Sequence, residues 1–527
     1  MRNYLHESTE PKLLEASEHE LLEVHEDRLI EKDTGVVALL SNHSTDDMKR
    51  MFRLFSVKSL PNGLQPIGDL MRQYVTEQGK AVVDTSHEEA SVNLVERLLE
   101  QYNNFAEIVT GCFESHLVFQ KALKEAFEAV VNQDVQVKGK PKTSAELMAD
   151  FCDRTLKNQA KVDEEVIGSM LDSTVSLFNH LQEKDYFADF YRIQLAKRLL
   201  MSNNMREHLE SDMILKLKVQ CGSQFTAKMT GMVQDLSTSK DFQVEFEKKY
   251  PEGKITVAEG VDGGKVHSIQ TSVQVLTHGY WPTYTSPEEL VIPPEIAKCM
   301  ESFSEFYAEK QTHRRLRWVH TMGKNTVEMH GFTIGGAKKA KEKKEGAKKK
   351  ESKIQLVVST VQAFVLMLFN HNQKLSLEQI AEALHIDPKE LKKYMKSLAV
   401  QKEKILNKEP VGKDINSGDV FSVNFSYSPM KNRVSIPLVV MQTDEKQVQE
   451  VHENVQQDRK LAIEACIVRV MKARNTLSHS QLVNEVIQAL SVLFRPDARI
   501  IKKRIEDLIQ REYLERDDSG TGYKYRA

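Results

Sequence analysis

The spacing of apolar residues predicts long amphipathic helices in the first part of the chain. Between residues 94 and 113, apolar side chains recur at steps of three and four, which is one stripe of a helix: Leu94, Leu98, Tyr102, Phe105, Val109 and Phe113. The segment SLPNGLQPIG (59–68) carries prolines and glycines that break the pattern between helices. We therefore predict a short stack of antiparallel helices over residues 1–135.

The helical pattern resumes after a polar stretch at residues 131–144. Short polar loops separate the segments that follow, SAELMADFCDRTL, VIGSMLDSTVSLFNHL, DYFADFYRIQLAKRLL and MILKLKVQCGSQFTAKMTGMVQDL. Consecutive amphipathic helices with short connections pack as antiparallel neighbours. This region, residues 144–245, is predicted to form a four-helix bundle.

The apolar period changes to alternation after Tyr250. KITVAEG, HSIQTSVQVLTHG and LRWVHTMGKNTVEMHGF are β-branched or alternating, with glycine turns between them. A helix that begins with two prolines, PPEIAKCMESFSEFYAEKQTHRR, lies among them. We predict a small α/β unit over residues 250–335, with residues 269–276 as one of its strands.

Residues 336–353 are nearly all Lys, Glu, Gly and Ala, so they offer no apolar stripe to bury. This composition predicts a solvated, mostly disordered insert. A role in nuclear import or in nucleic-acid binding stays open as an alternative.

Two similar units follow the insert. In each, capped helices lead into short strands around a turn, and the capping residues are Ser376 with Gln379, Asp387, Ser478 with Gln481, and Asp497. Three helices and a hairpin are typical of a winged helix, so we predict two, at residues 354–430 and 446–527. The fold class is then mainly α: a helical stalk, a four-helix bundle, a small α/β domain and two winged helices in an elongated array.

Composition and motifs favour a non-enzymatic protein without a cofactor. The five cysteines are scattered, which fits reduced thiols, and no CxxC pair offers a zinc site. The glycine-rich GVDGGKVHS (260–268) lacks phosphate-loop spacing, and the longest apolar run, residues 356–369, is too short to span a bilayer. We predict that run to be a buried helix, expect no membrane association, and expect the protein in the cytoplasm and nucleus.

The winged helices raise the possibility of nucleic-acid binding. The third helix of the second unit carries five cations, Arg499, Lys502, Lys503, Arg504 and Arg511. Glu506, Asp507, Glu512 and Glu515 dilute that charge, and the net charge of the whole chain is −3. From the residues alone, a DNA-binding module and a protein-binding module both stay open.

The segment IVRVMKARNT (467–476) places one lysine at a defined position. The core-facing stripe of this helix is formed by Ile463, Cys466, Ile467, Val470 and Met471. Arg469 and Lys472 fall on the opposite side, near the helix C-terminus, where cations are favoured. Lys472 is therefore predicted to be exposed. Three roles stay open for it: an ordinary surface lysine, a phosphate contact, or an acceptor of a modification.

The C-terminal stretch from AIEACIVRVMKARNT to REYLER closely resembles the cullin family, closest to the cullin-1 type of plants. DYFADFYRIQLAKRLL, VQVLTHGYWPTY and VSTVQAFVLMLFN are similar to family segments in the same order. The resemblance implies a scaffold of a RING ubiquitin ligase. It also implies a final cullin repeat over residues 1–135, followed by a bundle, an α/β domain and two winged helices.

The resemblance also implies partners and sites. The family motif around the acceptor of the ubiquitin-like protein NEDD8 aligns with Ile467, Val468, Arg469, Met471 and Lys472, so NEDD8 and its conjugating enzyme are expected partners. The family α/β domain takes a strand from a zinc-bearing RING-box protein, which recruits a ubiquitin-conjugating enzyme. We assign RING-box contacts to Val273, Val275, Leu276, Trp281 and Trp318.

Two features depart from the family pattern. A full cullin has two further N-terminal repeats, and the first of them docks an adaptor that carries an F-box receptor. The sequence begins just before the final repeat, so we do not include the adaptor and receptor among the expected partners. The lysine-rich insert is also longer than is usual in the family.

Overall fold

The computed structural model describes residues 9–31, 34–57, 60–85, 94–137, 140–157, 162–201, 206–251, 254–258, 266–282, 290–330, 354–437, 444–517 and 522–526. The chain divides into two compact units. The first contains residues 1–230 together with 449–527, and the second contains residues 231–448. The predicted insert at 336–353 lies outside the described residues.

The N-terminal region is helical, as its periodicity predicts. Its helices are α1 (Thr9–Glu18), α2 (Glu26–Ile30), α3 (Val36–Ser41), α4 (Thr45–Phe55), α5 (Leu64–Thr85), α6 (Leu94–Gly111) and α7 (Leu117–Val131), with a π-helical turn at His19–Glu23. Helices α5 and α7 approach closely at Gly79, where a Cβ atom would lie 2.5 Å from Cγ2 of Val130. A hairpin of β1 (Val135–Val137) and β2 (Lys140–Lys142) follows.

Among the described residues of the predicted bundle, the structure has five helices where four were predicted. They are α8 (Ser144–Lys157), α9 (Glu164–Phe178), α10 (Lys184–Met201), α11 (Glu207–Cys221) and α12 (Ser223–Lys249). The prediction of one helix through residues 213–236 was wrong because Gly222 adopts φ 86° and ψ 169°, a conformation that ends α11 and that only glycine tolerates. Apolar periodicity continues across this break and hides it.

A buried ion cluster joins the bundle helices. Arg198 is 2% exposed; its Nε donates to Glu210 Oε1 at 2.6 Å and its Nη1 donates to Asp153 Oδ1 at 2.7 Å. The hydroxyl of Tyr191 donates to the same Glu210 at 3.2 Å. Because α8, α10 and α11 each contribute a charged group, this cluster fixes their mutual register.

The α/β region forms shorter strands than the alternation of its apolar residues predicts. Its elements are β3 (Lys254–Ala258), β4 (Val266–Gln270), α13 (Pro294–Lys310), a 3₁₀ turn (His320–Met322), β5 (Lys324–Met329) and β6 (Ile354–Ser359). Strand β4 pairs antiparallel with β3 and ends at Gln270, so the predicted strand at 269–276 was wrong beyond its first two residues. Residues 271–277 are extended but have no neighbouring strand among the described residues.

The first winged helix consists of α14 (Thr360–Leu368), β7 (Lys374–Ser376), α15 (Leu377–Leu384), α16 (Pro388–Ala399), β8 (Leu406–Glu409), β9 (Val420–Val423) and β10 (Arg433–Ser435). The predicted buried helix at 356–369 was wrong over its first four residues, which belong to β6. In that strand, Ile354, Leu356 and Val358 alternate inward, and Ser359 then caps α14 through a capping box. When apolar residues lie on both sides of a helix-capping residue, their pattern does not distinguish a strand before the cap from an earlier start of the helix.

The second winged helix consists of α17 (Asp444–Arg474), β11 (Thr476–Ser478), α18 (His479–Leu490), α19 (Ala498–Gln510), β12 (Leu514–Arg516) and β13 (Gly522–Tyr525). The predicted caps are present, since Ser478 and Gln481 form a capping box and Asp497 accepts from the backbone of Arg499. The polar stretch before this domain is the first half of α17, and Val451 and Val455 are buried there. None of the described helices is long and apolar enough to cross a membrane.

Candidate modification site and partner-binding edge

Lys472 lies in the last turn of α17 with its side chain exposed, as predicted. Ile467 and Met471 have no exposed surface and pack into the core of the winged helix, while Val468 is partly buried. Arg469 is exposed and its Nη2 lies 3.7 Å from Sγ of Cys466. The described part of the chain offers no carboxylate within ion-pair distance of the Lys472 amine, which is therefore available to a partner.

The chain turns sharply after Lys472. Asn475 ends α17 with φ 63°, in the left-handed conformation that asparagine tolerates, and its N–H donates to the carbonyl of Met471 at 2.8 Å. Leu477 of β11 pairs with Tyr523 of β13 directly afterwards. The Lys472 amine thus projects from the end of a helix that is followed directly by the sheet of the winged helix.

Contacts from α17 and from the loop after α18 fasten the terminal winged helix to the bundle. Arg459 donates through Nε to Asp185 at 2.5 Å, and its guanidinium lies 4.8 Å from the ring of Tyr186 and 4.9 Å from the ring of Phe494. The N–H of Lys184 donates to the carbonyl of Leu493 at 3.0 Å. We name these six residues the Arg459 clamp: Lys184, Asp185, Tyr186, Arg459, Leu493 and Phe494.

Two further polar contacts flank the Arg459 clamp. Lys228 pairs with Asp458 at 3.0 Å, and Gln456 donates to the hydroxyl of Tyr186 at 3.2 Å. Burial lowers the pKa of Arg459, but the hydrogen bond to Asp185 and the negative charges of Asp185 and Glu183 together more than offset this, so the pKa lies above its ordinary value.

The second unit contains an open backbone edge at residues 271–277. Val273 and Val275 pack against an aromatic core that includes Phe246 and Phe303, while Ser272 and Gln274 point to solvent. In an extended chain, N–H and C=O groups of alternate residues point to opposite sides. Among the described residues, no group accepts from or donates to the backbone of Ser272, Gln274 or Leu276.

A second extended segment, residues 314–319, packs on the same core. Leu316 and Trp318 contact the cluster that also receives Val273 and Val275. Within the described part of the chain, the backbone of this segment makes no hydrogen bond to other backbone groups. Two extended segments on one core, each with unpaired backbone, provide the hydrogen-bonding groups that an added strand needs.

The other residues assigned to RING-box contacts are partly internal. Trp281 is buried, and its Nε1 donates to Oδ2 of Asp235 at 2.8 Å. Leu276 and Trp318 are half-buried. If this region binds a partner strand, the backbone therefore contributes more than these side chains do.

Sequence reasoning did not identify Arg459 of the clamp or the residues of α12 that face the open edge. Arg459 and Asp185 are 274 positions apart, and Asp235 lies 42 positions from Thr277. A polar residue on an amphipathic helix is expected to face solvent. The sequence therefore gives no signal that such a residue contacts a distant part of the chain.

The cations of α19 are only partly free for phosphate binding. Arg504 and Arg511 both pair with Glu464, at 3.1 and 2.6 Å. Arg499, Lys502 and Lys503 are exposed. Three exposed cations on one helix offer few phosphate contacts, and no observation favours nucleic-acid binding over protein binding.

The described residues contain no group of three or more histidine, cysteine or carboxylate side chains placed to hold a metal ion. The free cysteines Cys112, Cys152, Cys299 and Cys466 are buried and Cys221 is half-buried. Burial raises the pKa of Cys152 to about 12, which keeps this thiol protonated and unreactive.

Family comparisons agree with this arrangement. The model of the cullin alpha solenoid domain matches residues 1–243, that of the cullin alpha+beta domain matches residues 275–427, and that of the cullin protein neddylation domain matches residues 458–520. Lys472 falls within the third match, and residues 275–277 and 314–319 fall within the second.

Similarity to individual proteins extends over the whole chain. Cullin-1 of Oryza sativa subsp. japonica is 39% identical, in an alignment that covers 100% of this chain and 68% of that protein. Cullin-2 and Cullin-3A of Arabidopsis thaliana are 37% and 36% identical over 100% of this chain, and the alignments cover 68% and 67% of those proteins. Three domain matches in consecutive order and this full-length similarity show that the chain belongs to the cullin family.

Proposed function

We propose that this chain is the scaffold subunit of a cullin-RING ubiquitin ligase. It binds a zinc-bearing RING-box protein through the open edge at residues 271–277 and accepts NEDD8 on Lys472. The RING-box protein recruits the charged ubiquitin-conjugating enzyme, so the scaffold itself supplies no catalytic residue. The observation that carries the proposal is the exposed Lys472 in a matched neddylation domain.

The chemistry at Lys472 requires only an accessible amine from this chain. The deprotonated Nζ attacks the thioester carbonyl that joins the NEDD8 C-terminus to a cysteine of its conjugating enzyme. The C–N bond forms, the cysteine thiolate leaves, and the nitrogen gives up a proton to yield the isopeptide. Exposure on the last turn of α17 allows that enzyme to approach.

Partner binding is proposed to occur by strand addition. An extended segment of the RING-box protein would pair with the outward N–H and C=O groups of Ser272, Gln274 and Leu276. The alternate side chains Val273 and Val275 already pack on the core, so the edge keeps its register without the partner.

Replacing Gln274 with proline tests this edge. Proline removes the outward N–H and the pyrrolidine ring obstructs an incoming strand, so we expect co-purification with a RING-box protein to fall at least tenfold. Gln274→Ala keeps the N–H and is the matched control, expected to bind as wild type. Equal recovery of the RING-box protein with both variants would place its binding site elsewhere.

Replacing Lys472 with arginine tests the acceptor. Arg keeps the charge and the helix propensity but has no nucleophilic amine, so the single NEDD8 band on a gel should disappear while RING-box binding stays unchanged. Lys502→Arg, at an exposed site on α19, is the matched control and should be modified normally. A K472R protein that gains NEDD8 at the wild-type rate contradicts the assignment.

A further inference from the structure

Three polar side chains of α12 reach the backbone of the extended segment 271–277. Asp235 accepts from the N–H of Thr277 at 2.7 Å and from its hydroxyl at 2.8 Å. Ser239 accepts from the N–H of Val275 at 2.8 Å and donates to the carbonyl of Val275 at 2.9 Å. Gln243 accepts from the N–H of Val273 at 3.3 Å and donates to the carbonyl of Thr271 at 3.3 Å.

These contacts reproduce what a neighbouring strand would provide. Ser239 both accepts and donates at one residue, as the opposing residue does in a hydrogen-bonded antiparallel pair. Gln243 presents one acceptor and one donor through its amide, and these contact two residues that are two positions apart, Val273 and Thr271. Every contact goes to an odd-numbered residue between 271 and 277, so the even-numbered residues face away from α12.

The spacing of the two elements explains why the contacts stay in register. Asp235, Ser239 and Gln243 are four residues apart, which is a rise of about 6 Å per step along a helix. The residues that they contact are two apart, a rise of about 6.6 Å per step along a strand. A helix with polar residues at every fourth position can therefore follow an extended chain for three consecutive pairs.

Strand β3 follows α12 along the chain, and the two elements contact consecutive parts of residues 266–277. The chain leaves α12 at Lys249 and enters β3 at Lys254, which pairs with Gln270 at the end of β4. Beyond Gln270, the contacts pass from β3 to α12, with Gln243 nearest to β4 and Asp235 farthest from it. Residues 266–270 thus contact a strand, and residues 271–277 contact helix side chains.

We propose that Asp235, Ser239 and Gln243 form a template that holds residues 271–277 extended before any partner arrives. The template presents the N–H and C=O groups of Ser272, Gln274 and Leu276 as a preformed edge for an extended peptide segment. This inference rests on the proposed function, because it takes that segment to belong to the RING-box protein. The three side chains are positioning residues, which do not touch the partner.

The physical consequence is preorganisation. Without the template, residues 271–277 would have to become ordered at the moment of binding, and that loss of entropy would weaken the complex. With it, Val273 and Val275 are packed and hydrogen-bonded already, and the partner strand meets a rigid edge.

Hydrogen exchange resolved to single amides tests whether the template exists in the free protein. We expect slow exchange at Val273, Val275 and Thr277, whose N–H groups are bonded to α12, and fast exchange at Ser272, Gln274 and Leu276. Addition of a RING-box protein should slow the second set. Equal exchange of the two sets in the free protein would overturn the template.

Variants of Ser239 test its effect on binding. Ser239→Ala leaves both polar groups of Val275 without a partner, and we expect the Kd for the RING-box protein to rise about tenfold. Ser239→Thr keeps the hydroxyl and should restore wild-type affinity. An unchanged Kd for Ser239→Ala, with faster exchange at Val275, would show that the contact is structural only and would overturn the proposal.

Two failures can be told apart. If the wild-type protein binds no RING-box protein while its amides alternate as expected, the proposed partner is wrong and the template stands as a feature of the free chain. If binding occurs and Gln274→Pro abolishes it, but the amides of the free chain do not alternate, the proposed function stands and the template is wrong.

Discussion

At the scale of single residues, His180 is a buried histidine whose ring lies between aromatic neighbours. Its ring centroid is 5.4 Å from that of Tyr102 and 6.3 Å from that of Phe127, and neither ring nitrogen has a hydrogen-bond partner in the described part of the chain. Burial lowers the pKa of His180 to about 4, and the positive charges of Lys124 and Lys184 add to this effect.

The lowered pKa predicts acid sensitivity of the first unit. Because the unfolded chain binds a proton at His180 near its ordinary pKa of 6.5, the unfolded state holds more protons between pH 6.5 and about 4. The contribution of neutral His180 to the free energy of unfolding is therefore fully present above pH 6.5. It falls by about 3 kcal/mol as the pH drops to 4. His180→Phe should show a shallower decline in unfolding midpoint across this window.

A control for His180 is available on an exposed turn. His371→Phe should keep the wild-type decline, because the side chain of His371 is exposed to solvent and is not buried among aromatic rings as that of His180 is. The same decline for His180→Phe as for wild type would show that other groups control the acid response.

At the scale of elements, the break between α11 and α12 depends on one glycine. Gly222 has φ 86° and ψ 169°, and a Cβ atom there would meet nothing within 4 Å. Gly222→Ala should therefore reduce the free energy of unfolding by about 1–3 kcal/mol through backbone strain alone. Chemical denaturation of the purified variant measures this change.

Gly168 provides the matched comparison. It lies within α9, and a Cβ atom there also meets nothing within 4 Å, but its backbone is helical. Gly168→Ala should raise the free energy of unfolding by about 0.5–1 kcal/mol, because alanine loses less entropy in a helix. If both substitutions shift stability in the same direction, backbone conformation does not explain the break.

At the scale of the whole molecule, the Arg459 clamp is the contact through which we expect the proposed modification of Lys472 to act at a distance. The clamp joins the terminal winged helix to a bundle helix more than 250 positions earlier, through one guanidinium, two rings and one backbone hydrogen bond. We propose that a folded protein on Lys472 forms contacts that compete with the clamp and releases the domain, which frees the RING partner to approach substrate.

Exchange of the Lys184 amide reports on the clamp, because this N–H donates to Leu493. Arg459→Ala should speed that exchange about tenfold or more, and attachment of NEDD8 to the wild-type chain should have the same effect. Arg499→Ala, at an exposed cation of α19, is the control and should leave it unchanged. Unaltered exchange after modification would contradict release.

The sequence alone determined the features that depend on local pattern. Apolar periodicity located the helices of the stalk and bundle, short-range capping chemistry located the starts of α15, α16, α18 and α19, and the stripe through Met471 placed Lys472 on the exposed side. The resemblance of the motif around Lys472 then indicated the family, which the comparisons confirmed.

Only the tertiary structure decided the features that join distant parts of the chain. Whether residues 271–277 pair with a strand or with α12 depends on which polar side chains lie beside them, and the alternation of Val273 and Val275 is the same in both cases. Likewise, Arg459 looks like any solvated helix cation until folding brings Asp185 and Phe494 to it. Periodicity records which face of an element is buried, but it carries no information about which partner covers that face.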